Sequence, residues 1–208
     1  EYRKYYSEKI VYLPDTYQPN DLQRPLAIET PTRDALGLPA NAFVFCCLND
    51  CYKISPPVFD RWMQILKMVD DSVLWLFTDY EGAAQNLRRE AVKRGVDDER
   101  LIFCKRAPMT EHLARYRVAD LFLDTLPYNA HTTASEALWN GLPVLTCMGE
   151  AFAARVAASL LNAIQLPEFS KGLDRLPEAF GTYRLAGALA TLYEKTPGIS
   201  FDHAVMEK

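Results

Sequence analysis

The sequence predicts an α/β fold built on a doubly wound parallel sheet. Three observations predict it: short runs are apolar at successive positions, amphipathic segments separate them, and the connections are brief. Strands covered on both faces lose the polar alternation of a half-exposed sheet, and repeated strand–helix units close most simply into a parallel one.

The elements follow in order. Residues 1–40 are proline-rich and poorly periodic, an extended connection ending at the turn LGLPAN (Leu36 to Asn41). AFVFCCLN (Ala42 to Asn49) is a continuous apolar run, expected to be a buried strand. Pro56 and Pro57 suit the first turn of a helix, and Val58, Phe59, Trp62, Ile65, Leu66 and Val69 follow at helical spacing. SVLWLFT (Ser72 to Thr78) is a second strand. The next helix carries Ala84, Leu87, Ala91 and Val92 on its inner face, with Gly95 placed for a left-handed cap. LIFC (Leu101 to Cys104) is a strand, EHLARYRV a short helix and ADLFLDT (Ala119 to Thr125) another strand. HTTASEALWNG is a helix stopped by Gly141, PVLTC (Pro143 to Cys147) a last strand, and EAFAARVAASLLNAI a long helix. Residues 41–166 are thus expected to form one Rossmann-like domain, and 167–208 a tail in which GTYRLAGALATLYEK is expected to be helical.

The bulk numbers restrict the function classes. The 208 residues are 49% hydrophobic and 24% charged, ordinary for a globular domain. A net charge of -4 creates no global field toward nucleic acid or anionic membrane, so no nucleic-acid or membrane partner is expected. No apolar stretch approaches the roughly 20 residues that span a bilayer, and EYRKYYSEKI is not a signal peptide. Because the first residue is Glu1, the numbering is expected to start inside a longer polypeptide. Cys46, Cys47, Cys51, Cys104 and Cys147 lack paired metal-ligand spacing and are expected to be free thiols in a reducing cytoplasm, with no metal bound.

In such sheets ligands sit at the C-terminal ends of the strands, which directs attention to NDCYKIS, CKRAPMTEH and DTLPYNAHTTASE. In the last of these a helix starts near Thr132, with His131, Thr132 and Thr133 clustered at its N-terminus. Unpaired N–H groups and the positive dipole end there suit a phosphate. Local capping is the alternative, because Thr133-x-x-Glu136 fits the capping-box pattern. Lys53, just past the first strand, is either a point charge for a diphosphate or a solvated surface lysine. His112 and Arg115 share one helical face; they either stack on and hydrogen-bond a base, or form a half-buried histidine beside a surface arginine. The absence of GxGxxG and Walker-type loops argues against NAD-type and ATP-hydrolysing functions, and no hydrolase triad stands at motif spacing.

Taken in order, YSEKIVYLP, TRDALGLPANAFVFCCLNDCYKI, SVLWL, RLIF, AP-x-x-EH-x-x-R, AD-x-x-LDT, HTT-x-x-x-x-LW-x-G and GE-x-x-A-x-RVAAS resemble the C-terminal catalytic lobe of the O-GlcNAc transferase family, from roughly Tyr5 to Leu161. The resemblance implies a Rossmann-like lobe of a GT-B glycosyltransferase. It implies inverting transfer of N-acetylglucosamine from UDP-GlcNAc to Ser/Thr hydroxyls of proteins, with no cofactor and no metal. It further implies that Lys53 stabilises the leaving UDP, that His131, Thr132 and Thr133 bind the diphosphate, and that Glu136 holds the ribose. His112 and Arg115 match uracil-contacting residues, and Ala107 stands where backbone reads the uracil edge.

Two departures from the family pattern are visible. Met109 replaces a lysine of the animal enzymes, and Asp50 replaces a Gln or Asn near the phosphates, so weaker UDP binding than theirs is expected. The family's N-terminal lobe and its tetratricopeptide repeats find no counterpart in the sequence, and catalysis is expected to need that lobe as a partner. A transferase using another UDP-sugar such as UDP-glucose, and a nucleotide- or protein-binding module without transfer, are the competing expectations.

Overall fold

The computed structural model describes residues 2–13, 16–18, 21 and 27–164; the tail at 167–208 lies outside them. Strands β1 (Phe43–Cys47), β2 (Ser72–Phe77), β3 (Leu101–Cys104), β4 (Leu121–Leu123) and β5 (Val144–Leu145) form one sheet in the order β3-β2-β1-β4-β5. Every pairing is parallel, with Phe45 of β1 opposite Leu74 of β2 and opposite Leu121 of β4. Helices α1 (Pro56–Met68), α2 (Glu81–Lys93), α3 (Met109–Arg115), α4 (Thr132–Trp139) and α5 (Val156–Ile164) fill the connections and follow the last strand. The chain steps one way along the sheet from β1 to β3, then returns to β4 and β5. Right-handed crossovers therefore put α1 and α2 on one face, α3 and α4 on the other. The sheet is doubly wound, as its sequence predicts, and its direction reverses between β1 and β4.

Burial follows from these layers. Val44, Phe45, Cys46 and Cys47 of β1 are buried, as are Val73, Leu74, Trp75 and Leu76 of β2. Trp62, Met63, Ile65 and Leu66 of α1 pack into the same core. On α2 the inner face is narrower than expected. Ala84 and Ala91 are buried and Leu87 packs against the core, but Val92 is 57% exposed. It follows Ala91 directly and so lies about 100° around the helix.

Two helices end in the same way. Gly95 after α2 and Gly141 after α4 have φ of 75° and 79°. Each Gly N–H bonds the carbonyl three residues back, and the next residue, Val96 or Leu142, bonds five residues back to Ala91 or Ala137. That is the Schellman closure, and Val96 and Leu142 are buried beside it. A Cβ at either glycine meets nothing within 4 Å. Only the left-handed backbone should then resist substitution, and Gly95→Ala and Gly141→Ala are each expected to lower stability by about 1 kcal/mol in denaturant titration. Unchanged midpoints would contradict this closure.

The connection before β1 is tied to the sheet: Arg33 donates from Nε to the Val118 carbonyl at 3.0 Å and from Nη1 to those of Ala40 and Ala42. Its Nη2 meets Asp120 Oδ2 at 2.8 Å, and the same oxygen accepts the Val44 N–H. The expected strand PVLTC is shorter: only Val144 and Leu145 are strand, and Pro143, which has no N–H to give, takes part through its carbonyl, which accepts the Phe122 N–H at 2.9 Å. The long helix EAFAARVAASLLNAI is broken into a 3-10 turn, Phe152–Ala154, and α5. Its backbone has other partners there: the Ala153 carbonyl accepts from Asn129 N–H, and Ala154 from Gly149 N–H.

Candidate functional site

A cleft of about 470 Å³ opens at the C-terminal ends of the strands, where the direction of the sheet reverses. Its walls come from four connections: Asn49, Asp50 and Lys53 after β1, Phe77 at the end of β2, Arg106 and Ala107 after β3, and Tyr128, His131, Thr132 and Thr133 after β4. Met109 and His112 of α3 close one side.

The loop from β4 to α4 is organised by a buried carboxylate. Asp124 Oδ1 accepts the backbone N–H groups of Thr125 at 2.7 Å and Ala130 at 2.6 Å, and Oδ2 accepts the Thr146 hydroxyl. Burial pushes its pKa up to about 7, although those three donors and the charge of Lys53 pull the other way. Thr125 extends the network, accepting from Asn49 Nδ2 and donating to the Tyr128 carbonyl. Asn49 Oδ1 in turn accepts the Thr133 hydroxyl, which ties the end of β1 to α4.

This resolves the capping alternative. The helix begins at Thr132 and His131 occupies the N-cap position without a side-chain cap bond. Thr133 is the second helical residue and sends its hydroxyl to Asn49, so it is not an N-cap. The first-turn N–H groups of an α-helix have no partner within it, and here they open beside the cleft.

Lys53 ends a 3-10 turn, Cys51–Lys53. Its ammonium donates to the Asn129 carbonyl at 3.3 Å and lies 4.4 Å from the centre of the Tyr128 ring. Burial lowers its pKa, while Asp124, Cys47 and Asp50 act to raise it. His131 stacks on Tyr128 with ring centres 4.9 Å apart. Its pKa is lowered, by burial first, with the Ala153 carbonyl opposing and Lys53 adding to the shift.

The structure gathers Lys53, Ala107, His112, His131, Thr132 and Thr133 around one cleft. Arg115 and Glu136 do not line it. Arg115 turns back along the loop and donates to the Lys105 carbonyl at 2.7 Å. Glu136 is 5% exposed, and its Oε2 lies 3.3 Å from Nε2 of His112 beneath the cleft wall. The same imidazole is 3.4 Å from the Tyr116 hydroxyl. Of the two departures, Met109 is 56% exposed and Asp50 is exposed on the rim.

Several contributors, Tyr128 among them, were not singled out from the sequence. Asn49 and Asp124 lie inside segments already singled out, at strand ends where short polar residues commonly organise turns. Arg106 lines the cleft with its backbone N–H and guanidinium on Asp79. Tyr17 comes from the N-terminal connection, and its hydroxyl lies 2.6 Å from His131 Nδ1. The cysteines are free thiols, and burial pushes Cys47 and Cys147 up to about 12 and Cys104 to about 11, so these three pack as neutral side chains. Among the described residues no helix is long and apolar enough to cross a membrane.

The model of glycosyl transferase family 41 matches residues 18–174. The chain is 38% identical over 171 residues to the probable UDP-N-acetylglucosamine–peptide N-acetylglucosaminyltransferase SEC of Arabidopsis thaliana, covering 80% of this chain and 18% of that protein. It is 41% identical over 145 residues to the UDP-N-acetylglucosamine–peptide N-acetylglucosaminyltransferase of Caenorhabditis elegans, covering 69% of this chain and 12% of that protein. Among solved structures, a mutant O-GlcNAc transferase of Thermobaculum terrenum superposes with a TM-score of 0.67 at 30% identity, over 91% of this chain and 37% of that one. The chain therefore spans under a fifth of the length of these two curated relatives. The fold is that of the GT-B glycosyltransferases, and the chain belongs to glycosyl transferase family 41.

Proposed function

We propose that this chain is the donor-nucleotide lobe of an inverting glycosyltransferase that moves N-acetylglucosamine from UDP-GlcNAc to Ser/Thr hydroxyls of proteins. One observation carries the reading: a single cleft at the switch point is lined by Lys53 and the N-terminus of α4 together with Ala107 and His112. The ammonium and the helix N-terminus suit a diphosphate. A backbone edge beside an imidazole suits a uracil ring. In the reaction the acceptor oxygen bonds to the anomeric carbon as the bond from that carbon to the UDP oxygen breaks. UDP leaves with the electron pair, and the acceptor's proton passes to a base outside this lobe. Charge grows on the diphosphate during that step, and Lys53 with the α4 N–H groups is positioned to stabilise it.

The transferase so proposed has a second lobe across the cleft and repeats that recruit the acceptor, both within a longer cytoplasmic polypeptide. Competition against bound UDP tests it: UDP-GlcNAc is expected to displace UDP about tenfold or more better than GDP- or ADP-sugars. Equal competition by ADP-glucose would remove the uracil end of the argument. Tighter competition by UDP-glucose than by UDP-GlcNAc would shift the donor.

A further inference from the structure

The imidazole of His131 is engaged at both nitrogens by parts of its own chain. Nε2 lies 3.5 Å from the Ala153 carbonyl, which can only accept, so a hydrogen bond there requires the proton on Nε2. Nδ1 lies 2.6 Å from the Tyr17 hydroxyl. With Nε2 protonated, a neutral ring offers a lone pair at Nδ1, and Tyr17 donates to it. The contact joins residues 114 positions apart, from the N-terminal connection to the start of α4.

Aromatic packing holds the arrangement from the sides. Tyr17 meets His131 edge-on with ring centres 5.8 Å apart, and Phe152 meets Tyr17 at 4.9 Å. Tyr128 stacks on His131 at an interplanar angle of 17°. The ammonium of Lys53 also rests on Tyr128. Order imposed on His131 therefore extends through one shared ring to the lysine of the cleft.

We propose that Tyr17 is a positioning residue that locks His131 as its neutral Nε2–H tautomer, withdrawing the imidazole from anion contact and leaving a diphosphate to Lys53 and the N-terminus of α4. The withdrawal rests on the nucleotide reading above; the lock itself does not. It changes the role that family resemblance implies for His131, from a ligand of the anion to a strut between the connection, the β4–α4 loop and the 3-10 turn before α5.

Ring nitrogen shifts test both parts in the 208-residue chain labelled with 15N-histidine, which has only three imidazoles to assign. Without ligand, His131 is expected to show a protonated Nε2 and an unprotonated, hydrogen-bonded Nδ1. Tyr17→Phe keeps the ring and removes the donor. It should move both nitrogens toward tautomer-averaged values and lower UDP affinity about fivefold, with uridine affinity unchanged. Saturating UDP should shift the amides of Thr132 and Thr133 while leaving the His131 nitrogens in place. A protonated Nδ1 in the free protein, or a Tyr17→Phe spectrum identical to the parent's, would overturn the lock. Conversion of His131 to imidazolium on adding UDP would overturn its withdrawal. If UDP shifts no amide at all, the nucleotide reading fails, and the ligand-free spectra still decide the lock.

Discussion

Asp124→Ala is expected to lower the stability of the fold by about 3 kcal/mol and to abolish nucleotide binding with it. The substitution orphans the N–H groups of Thr125 and Ala130 and the Thr146 hydroxyl. Each buried donor left without a partner costs about 1–3 kcal/mol, and removing a charge that is itself costly to bury offsets part of the sum. The loop that fails is the one carrying Tyr128, His131 and the start of α4, so the cleft is lost before the rest of the sheet. The same carboxyl predicts a pH dependence. Its folded pKa, about 7, lies above the unfolded value of about 3.9. Between those values the folded state holds a proton that the unfolded chain has released, so the contribution of this group to stability is fully present below about pH 4 and is lost as pH rises through about 7. This group alone can contribute up to roughly 4 kcal/mol across that window. Chemical denaturation at pH 4.5 and 7.5 checks it: the slope assigned to Asp124 should be absent in Asp124→Ala, and identical slopes in the two proteins would rule the assignment out.

Lys53→Ala is expected to weaken UDP binding about 10- to 100-fold, the range for losing one charge-assisted contact of about 1.5–3 kcal/mol. Stability should change little. The ammonium is half-buried against the Asn129 carbonyl and the Tyr128 ring, so its removal gives up modest contacts and also a desolvation cost. Lys53→Arg should not restore full affinity, because a planar fork does not fit the place of a compact ammonium resting on one carbonyl and one ring. Uridine, which lacks the diphosphate, should bind parent and variant alike. Calorimetric titration of both ligands into both proteins separates this from a general loss of the site, in which uridine would weaken as well.

The sheet was legible because its central strands announce themselves: β1 and β2 are buried along almost their whole length and apolar except at Ser72, and Gly95 and Gly141 mark helix ends closed by a left-handed residue. The helix expected over Glu150 to Ile164 was not legible as a broken one. Its composition is helical throughout, and what breaks it is a backbone bond from Asn129, more than twenty residues earlier, to the Ala153 carbonyl. The site divides in the same way. Lys53, Thr132 and Thr133 lie in the connections that leave the C-terminal ends of β1 and β4, so the fold places them together. Arg115 and Glu136 share helices with residues that line the cleft, but helical spacing alone does not say which neighbour claims a side chain. Lys105 claims one and His112 the other. Tyr17 lies in a proline-rich stretch without periodicity, and only three-dimensional contact reveals its hydroxyl at His131.

The central claim is that the switch-point cleft holds a nucleotide by both its base and its diphosphate. Isothermal titration of the 208-residue chain with UDP and with uridine at one ionic strength tests it most directly. UDP should bind about tenfold or more tighter than uridine, with the difference shrinking as salt screens the diphosphate. Equal affinities for the two, or no binding of either, would contradict it.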